Sequence, residues 1–171
     1  MSISRATWKR PADRAVRHLE YERYVIEEVL PFIRWRNPLP YLAVTGNSFG
    51  GYHAANFALR HPDIVDKAMS LGGAFDMSSF FDGHYDENVY YNSPLDFLPG
   101  LRDPWFIDQY NRHCLLILGT GETDPCRGSN ERLAGLLAEK GIRHVLDVGQ
   151  GVGHDWPFWF EMIHRYLDWN A

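Results

Sequence analysis

Residues 41–59 read YLAVTGNSFGGYHAANFAL, and the fold predicted for the rest of the chain depends on this stretch. An apolar run at 41–44 leads into Gly46-Asn47-Ser48-Phe49-Gly50, and small residues then recur on one face of the following segment. The run is typical of a buried strand, and the later spacing is typical of a closely packed helix. The stretch therefore predicts a strand, a sharp turn and a helix in direct succession, with G-x-S-x-G at the turn.

The serine at this turn has the setting of a catalytic nucleophile. Gly46 and Gly50, two positions before and after it, give a tight and strained backbone room to pass. Such a turn pushes Ser48 out above the carboxyl end of the strand. The helix begins at about Phe49, so unpaired N–H groups and the positive helix end lie beside the hydroxyl and would stabilise an oxyanion. The alternative interpretation is a glycine-rich loop capped by serine, but the motif has the strand and helix that it requires.

Composition argues against several classes of partner. The chain has 171 residues and a net charge of -5, with acidic and basic residues intermixed, so we expect neither nucleic acid nor a membrane as partner. No apolar run approaches a bilayer span, and the first ten residues lack the apolar core of a signal peptide. Cys114 and Cys126 form no disulfide framework, and we expect one in a strand and one in a loop, as free thiols in a reducing cytoplasm.

Strands and helices are predicted to alternate along the chain. A first helix should begin at Pro11, and Pro31 should kink or end it. The strand before the serine turn covers residues 41–45. Beyond this turn, the pattern predicts strands at 67–71, 113–119 and 143–148. It also predicts helices at 130–140 and 156–169, the first of which ends at Gly141. This order predicts one α/β domain over residues 1–171, with a mostly parallel sheet and flanking helices.

The segment 74–112 is long, irregular and dense in aromatic and turn residues. A structureless loop of that length is improbable in a compact domain, so we expect short helices, one of them starting at Asp103-Pro104. The segment would form a cap-like insertion over the site. Its rings could line an apolar pocket, although simple packing accounts for most of them better.

A serine nucleophile needs a base, and the base needs a carboxylate that fixes its tautomer. In α/β-hydrolases the partners follow in the order Ser, acid, His, each just after a strand. Gly151-Val152-Gly153-His154 follows the strand at 143–148, so His154 can reach over the carboxyl edge of the sheet toward Ser48. We therefore assign His154 as the base, with a solvent-exposed loop histidine as the alternative.

Glu122 and Asp124 compete for the role of the acid, because both follow the strand at 113–119. We prefer Asp124, since Pro125 fixes its turn and it lies farther from the strand end, where the loop can curve toward His154. The other carboxylate would then be solvated or cap a turn. Asp155 is better explained as the N-cap of the last helix.

No pattern in the sequence indicates a metal or a cofactor. His53, five residues after the serine, is interpreted as a packed or surface histidine, and no metal-ligand spacing joins it to another residue. The glycine-rich stretches match no nucleotide-binding fingerprint. We expect neither a metal ion nor a cofactor.

Four segments together resemble the putative esterase family of α/β-hydrolases, which is related to esterase D: GNSFGGYHAANFALRHP, NVYYNSPLDFLP, GETDPCR and GVGHDWPFW. The similarity runs from about residue 12 to the end. The resemblance implies a serine esterase acting on a small-molecule ester, with Ser48, Asp124 and His154 as its triad. It also implies that the backbone N–H of Phe49 is one oxyanion donor.

The chain departs from that family before its first helix. Members have several more strands there, and a loop after one of them supplies the second oxyanion donor, so the resemblance implies an N-terminally truncated sheet. The elbow strand would then be an exposed edge. Three explanations remain open: a true start upstream of Met1, a second chain that covers the edge, or a degenerate relative that binds a ligand or partner without turnover. We expect a homodimer that covers the edge.

Overall fold

Four parallel strands form one sheet, in the order β1-β2-β3-β4, within residues 10–167, which are the part of the chain that the computed structural model describes. The strands are β1 (Ala43–Asn47), β2 (Lys67–Leu71), β3 (Leu115–Gly121) and β4 (His144–Gly149). The predicted α/β class with a mostly parallel sheet is confirmed.

Helices flank this sheet and fill its connections. They are α1 (Pro11–Tyr24), α2 (Leu30–Arg36), α3 (Phe49–Arg60), α4 (Ser78–Phe81), α5 (Glu87–Tyr90), α6 (Pro94–Gly100), α7 (Pro104–His113), α8 (Arg127–Glu139) and α9 (Trp156–Leu167). Helices α4 to α7 are the short helices predicted in the aromatic segment. Asp103 caps α7, since its carboxylate accepts from Trp105 N at 2.9 Å. The predicted end of the last helix, at 168–169, lies outside the described residues.

Pro31 interrupts the first helix without ending it. A π-helical turn, Val25–Val29, joins α1 to α2, and the N–H of Leu30 bonds to the carbonyl of Val25. Proline has no N–H, and in a regular α-helix its ring would meet the carbonyl four residues back. The π turn, which is wider than a turn of α-helix, lies just before Pro31, and α2 then continues to Arg36. Of the two outcomes predicted at Pro31, a kink or an end, the helix end is therefore excluded, and the regular α-helix is interrupted just before the proline.

Most predicted boundaries shift by one to three residues, as for α8, which begins at Arg127 and not at residue 130. Two of the shifts have a clear local reason. β1 begins at Ala43 because Leu42 instead donates its N–H to the Asp66 carboxylate at 2.7 Å. β3 begins at Leu115 because α7 runs to His113 and Cys114 N still bonds to Tyr110 O at 3.3 Å. Cys114 therefore lies just before the strand, and its predicted position within a strand is wrong.

Side chains of β2 and β3 alternate between two apolar layers. Met69, Leu71 and Ile117 pack against α9, whereas Ala68 and Leu116 face the layer that contains α3 and α8. Both strands are buried at every position, as the doubly covered strands of a parallel sheet should be.

β1 lies at one edge of the described sheet, and its Ala43 and Thr45 are exposed. The helices found within residues 10–167 are all too short or too polar to cross a bilayer.

Candidate active site

The register of the sheet brings the predicted site residues to one edge. Asn47 is paired with Leu71, Leu71 with Gly119, and Gly121 with Gly149, so the four strands end nearly level. Ser48 directly follows β1, and the loops after β3 and β4 carry the candidate acid and base.

Ser48 has a strained backbone at the turn between β1 and α3. Its φ of 54° and ψ of -119° lie where only glycine is comfortable. Hydrogen bonds hold this geometry: Ser48 N donates to Leu71 O at 2.7 Å, and Ser48 O accepts from Tyr52 N at 3.1 Å. Phe49 is the first residue of α3, so its N–H has no acceptor within the helix. This geometry has the form expected of a nucleophile elbow.

The turn needs glycine at positions 46 and 51. A Cβ on Gly46 would collide with the backbone of Gly50, and one on Gly51 would lie 2.9 Å from Ser70 Oγ. A Cβ on Gly50 would meet no atom within 4 Å. The predicted steric need for glycine is therefore correct for Gly46 and wrong for Gly50, because residue 50 already lies in the first turn of α3 with open space beside it.

Asp124 and His154 form a hydrogen-bonded pair. His154 Nδ1 lies 2.9 Å from Asp124 Oδ1 and 3.0 Å from Oδ2. A carboxylate only accepts, so Nδ1 carries the proton and Nε2 is left as an acceptor. The Asp124 side chain is fully buried and that of His154 is one-quarter exposed. The ring of Trp159 packs perpendicular to the imidazole at 4.7 Å and helps to fix its orientation.

Glu122 has a different role from Asp124. Its exposed carboxylate accepts from Gly151 N at 2.9 Å, and the next residue, Thr123, bonds to Val152 O through both N and Oγ1 at 3.1 Å. These hydrogen bonds fix the loop after β3, which carries Glu122, against the loop after β4, which carries His154. Asp155 caps α9 as predicted, accepting from Phe158 N at 3.3 Å.

Gly72 is a site residue that sequence reasoning missed. Its φ is +58°, and a Cβ there would lie 2.8 Å from Asp124 Oδ2 and 2.9 Å from His154 Nδ1. The Gly72-Gly73 pair after β2 was the available signal, but it indicated only the end of a strand. Gly72 follows Leu71, whose carbonyl holds Ser48, so one short segment contacts both the serine turn and the Asp124–His154 pair.

Ser48 Oγ makes no hydrogen bond to His154 within residues 10–167. In hydrolase sites without substrate such bonds are often long, and they tighten when the substrate binds.

An open groove of about 610 Å³ adjoins Ser48, between α1, β1 and α3. Apolar and aromatic side chains supply much of its lining, among them Tyr21, Val25 and Phe49. His53 also lines it, with its ring stacked on that of His18 at 4.7 Å. Burial lowers the pKa of His53 to about 3 and that of His18 to about 4, so both are neutral at pH 7. His53 is a packed histidine, one of the two predicted settings.

The aromatic segment is mainly packing. Phe75, Phe81 and Tyr110 are buried in the core, whereas Phe80 reaches Phe49 beside the serine, with ring centroids 5.0 Å apart. The segment therefore touches the site through the Phe80 ring and through the N–H of Ala74, which donates to Ser48 O at 3.2 Å.

Cys126 lies beside the Asp124–His154 pair. Its N–H donates to Asp124 Oδ1 at 2.7 Å. Burial, with the nearby Asp124 carboxylate, raises the pKa of its thiol to about 11. One ligand atom from each of Asp124, Cys126 and His154 lies within 4.8 Å of the others, so these three could hold a metal ion. Both cysteines are free thiols, as predicted, and Cys126 lies in a loop, also as predicted.

Comparison with known proteins identifies proteins that are similar to this chain. A family model described as "Putative esterase" matches residues 2–124. A ferulic acid esterase superposes with a TM-score of 0.72 at 22% identity, covering 86% of this chain and 58% of that one. FphF, a fluorophosphonate-binding serine hydrolase of Staphylococcus aureus, gives 0.64 at 22% identity, with 88% and 64% covered.

A curated yeast protein, the Saccharomyces cerevisiae 1-acylglycerol-3-phosphate O-acyltransferase ICT1, is 40% identical over 60 residues, 33% of this chain and 14% of that protein. The chain thus spans about three-fifths of the solved structures that it matches and a much smaller part of the yeast protein. The structural likeness establishes the α/β-hydrolase fold.

Proposed function

Because the chain belongs to the putative esterase family, we propose that it is a serine hydrolase that cleaves a carboxylic ester through an acyl-enzyme intermediate. The observation that carries the proposal is the 2.9 Å hydrogen bond between His154 and Asp124, beside the strained turn of Ser48. Ser48 would be the nucleophile, His154 the base and Asp124 the acid that orients it. The substrate would be a small molecule, and no cofactor is part of the mechanism.

Acylation begins with attack of Ser48 Oγ on the ester carbonyl. His154 Nε2 takes the hydroxyl proton, while Asp124 keeps the Nδ1 proton in place and stabilises the imidazolium. The burial of Asp124 strengthens this interaction, because the local dielectric constant is lower than that of water. His154 then gives its proton to the leaving alcohol, and water attacks the acyl-enzyme by the same steps in reverse.

The Phe49 N–H is the oxyanion donor in this proposal. It stands at the start of α3, next to the serine, where the positive end of the helix favours negative charge. Each such donor is typically worth about 10²–10³ in rate.

The groove beside Ser48 favours an ester with an apolar acyl or alcohol group. Transfer of the acyl group to an alcohol instead of water, or hydrolysis of a peptide, would use the same residues. The yeast relative is named as an acyltransferase. The two free thiols fit a reducing cytoplasm as the site of action.

Hydrolysis of an activated ester tests the proposal. Ser48→Ala should lower turnover by about 10⁴-fold or more, since removal of the nucleophile removes the acyl-enzyme route. Ser79→Ala, at an exposed serine of α4, is the matched control and should keep wild-type turnover. Turnover by Ser48→Ala at the wild-type rate would contradict the proposal.

A second candidate function is a hydrolase remnant that binds a ligand or partner in the groove without turnover. The open groove of about 610 Å³ beside Ser48 favours this candidate, because it offers a binding surface that needs no catalytic step. It predicts saturable binding of an ester to the wild type with no release of alcohol.

A further inference from the structure

Cys126, which lies beside the Asp124–His154 pair, has no part in the proposed hydrolysis. Cys126 is half-buried, and its backbone N–H donates to Asp124 Oδ1 at 2.7 Å, with the thiol close to the same carboxylate. Asp124 therefore accepts from one side-chain donor, His154 Nδ1, and from the backbone N–H of Cys126. One ligand atom each of this carboxylate, this thiol and the His154 imidazole lie within 4.8 Å of one another. Such a ligand set suits a zinc-like cation.

We propose that Asp124, Cys126 and His154 bind a thiophilic divalent cation such as Zn²⁺, and that this binding switches the hydrolase off. The binding site stands on the geometry of the three side chains. Its inhibitory effect rests on the proposed function, in which His154 is the base.

The spacing of the three groups is close to what a tetrahedral ion needs. Zinc bonds of about 2.0–2.2 Å to nitrogen and oxygen separate two ligand atoms by about 3.4 Å. His154 Nδ1 and Asp124 Oδ1 are already 2.9 Å apart, so a small widening admits the ion. The three ligand atoms lie within 4.8 Å of one another, so the thiol has to move inward by no more than about 1 Å to reach the sulfur–nitrogen separation of a zinc site.

Charge and access also favour the site. With Asp124 and Cys126 both deprotonated, their two negative charges neutralise a divalent ion, which a buried position requires. The Asp124 side chain is fully buried, but that of His154 is one-quarter exposed and offers a path from solvent. Water would complete the coordination.

Inhibition follows from the imidazole tautomer. Without metal, the proton is on Nδ1 and Nε2 is free to accept from Ser48. An ion that binds Nδ1 replaces the proton there, and the imidazole proton moves to Nε2 through solvent. Cys126 releases its thiol proton to solvent when its sulfur binds the ion. His154 remains neutral, but its Nε2 now carries a proton and cannot act as the base. The Asp124 carboxylate would then bind the metal and would no longer orient the imidazole ring.

Titration of the untagged protein with Cd²⁺ alone tests the site without reference to activity. The wild type should show ultraviolet thiolate-to-metal absorption that saturates at one ion per chain. Cys126→Ser and Cys126→Ala should lose it and weaken binding by about 100-fold, since even outer-shell partners of a metal contribute 10–100-fold. The side chain of Cys126 does not cap α8, so these changes spare the helix. Cys114→Ala, at the other cysteine of the chain, should behave as the wild type.

Zinc inhibition of ester turnover is then measured for each protein relative to its own rate without metal. Zn²⁺ should stop turnover by the wild type and Cys114→Ala, with recovery on chelation, and should inhibit the Cys126 variants only at about 100-fold higher concentration. An absent thiolate signal, a signal that survives in Cys126→Ser, or saturation without inhibition would each overturn the proposal. A chain that hydrolyses no ester would contradict the proposed function, and the Cd²⁺ titration would still decide the site.

Discussion

Glu122 and Asp124 are two residues apart in one loop, and only Asp124 contacts the imidazole of His154. Glu122 accepts from the backbone of Gly151, whereas Asp124 accepts from Nδ1 at 2.9 Å. Asp124→Asn should therefore lower ester turnover by about 10⁴-fold, because the amide no longer enforces the Nδ1–H tautomer. Glu122→Gln keeps a carbonyl oxygen for Gly151 and should cost less than about tenfold. Steady-state rates of the two variants decide this, and greater damage from Glu122→Gln would exchange the two roles.

At the residue scale, local sequence rules led to residues that the fold brings to one edge of the sheet, and their catalytic roles stay predictions. Ser48 was predicted as the nucleophile from the glycines and the strand and helix around its turn, and the order Ser, acid, His predicted the loops of the acid and the base. The preference for Asp124 rested on Pro125 and on the reach of the loop, and the geometry agrees with it. Gly72 could not be found this way, since its contact with the pair depends on how β2, β3 and β4 are aligned, and the local sequence does not give that alignment.

Gly72 also gives a prediction for the turn that follows β2. Gly72→Ala puts a Cβ 2.8 Å from Asp124 Oδ2 at a φ of +58°, so it should lower stability by about 1–3 kcal/mol and turnover by about 100-fold. Gly141→Ala is the matched control, because its φ is +67° but no atom lies within 4 Å. It should lower stability by about 1 kcal/mol and leave turnover intact. Thermal melts and rates measure both, and equal loss of turnover in the two variants would show that only backbone strain matters.

Elements were predicted well where the pattern is repeated and less well at their ends. The apolar runs of β2 and β3 and the spacing of α3 indicate buried strands and a packed helix without further information. The starts of β1 and β3 depend on single tertiary or capping contacts, those of Leu42 with Asp66 and of Cys114 with Tyr110. The continuation of α2 beyond Pro31 depends on a π turn, which proline content alone does not predict.

At the scale of the whole molecule, the described sheet has an unpaired edge. The outer side of β1 has no strand beside it within residues 10–167, and large apolar side chains are exposed before it, including Phe32, Trp35, Leu39 and Tyr41. Unpaired backbone groups beside apolar surface favour association. We expect a two-fold homodimer that covers this edge.

Light scattering on the purified chain measures the assembly, and the expected mass is about twice 19.8 kDa. Trp35→Glu should shift the measured mass toward that of the monomer, because it places a charge in the exposed apolar surface beside β1. Trp156→Glu, at a tryptophan with the same 71% exposure on α9, is the control and should not. A monodisperse monomer with a cooperative melt would show that the edge needs no second copy.

The central claim, that Ser48 is a nucleophile activated by His154, is tested most directly by labelling with a fluorophosphonate probe and locating the adduct by mass spectrometry. The wild type should be labelled once, on the peptide that carries Ser48, because the helix start and the imidazole both activate its hydroxyl. Ser48→Ala and His154→Ala should each abolish labelling. Equal labelling of the wild type and Ser48→Ala would contradict the claim.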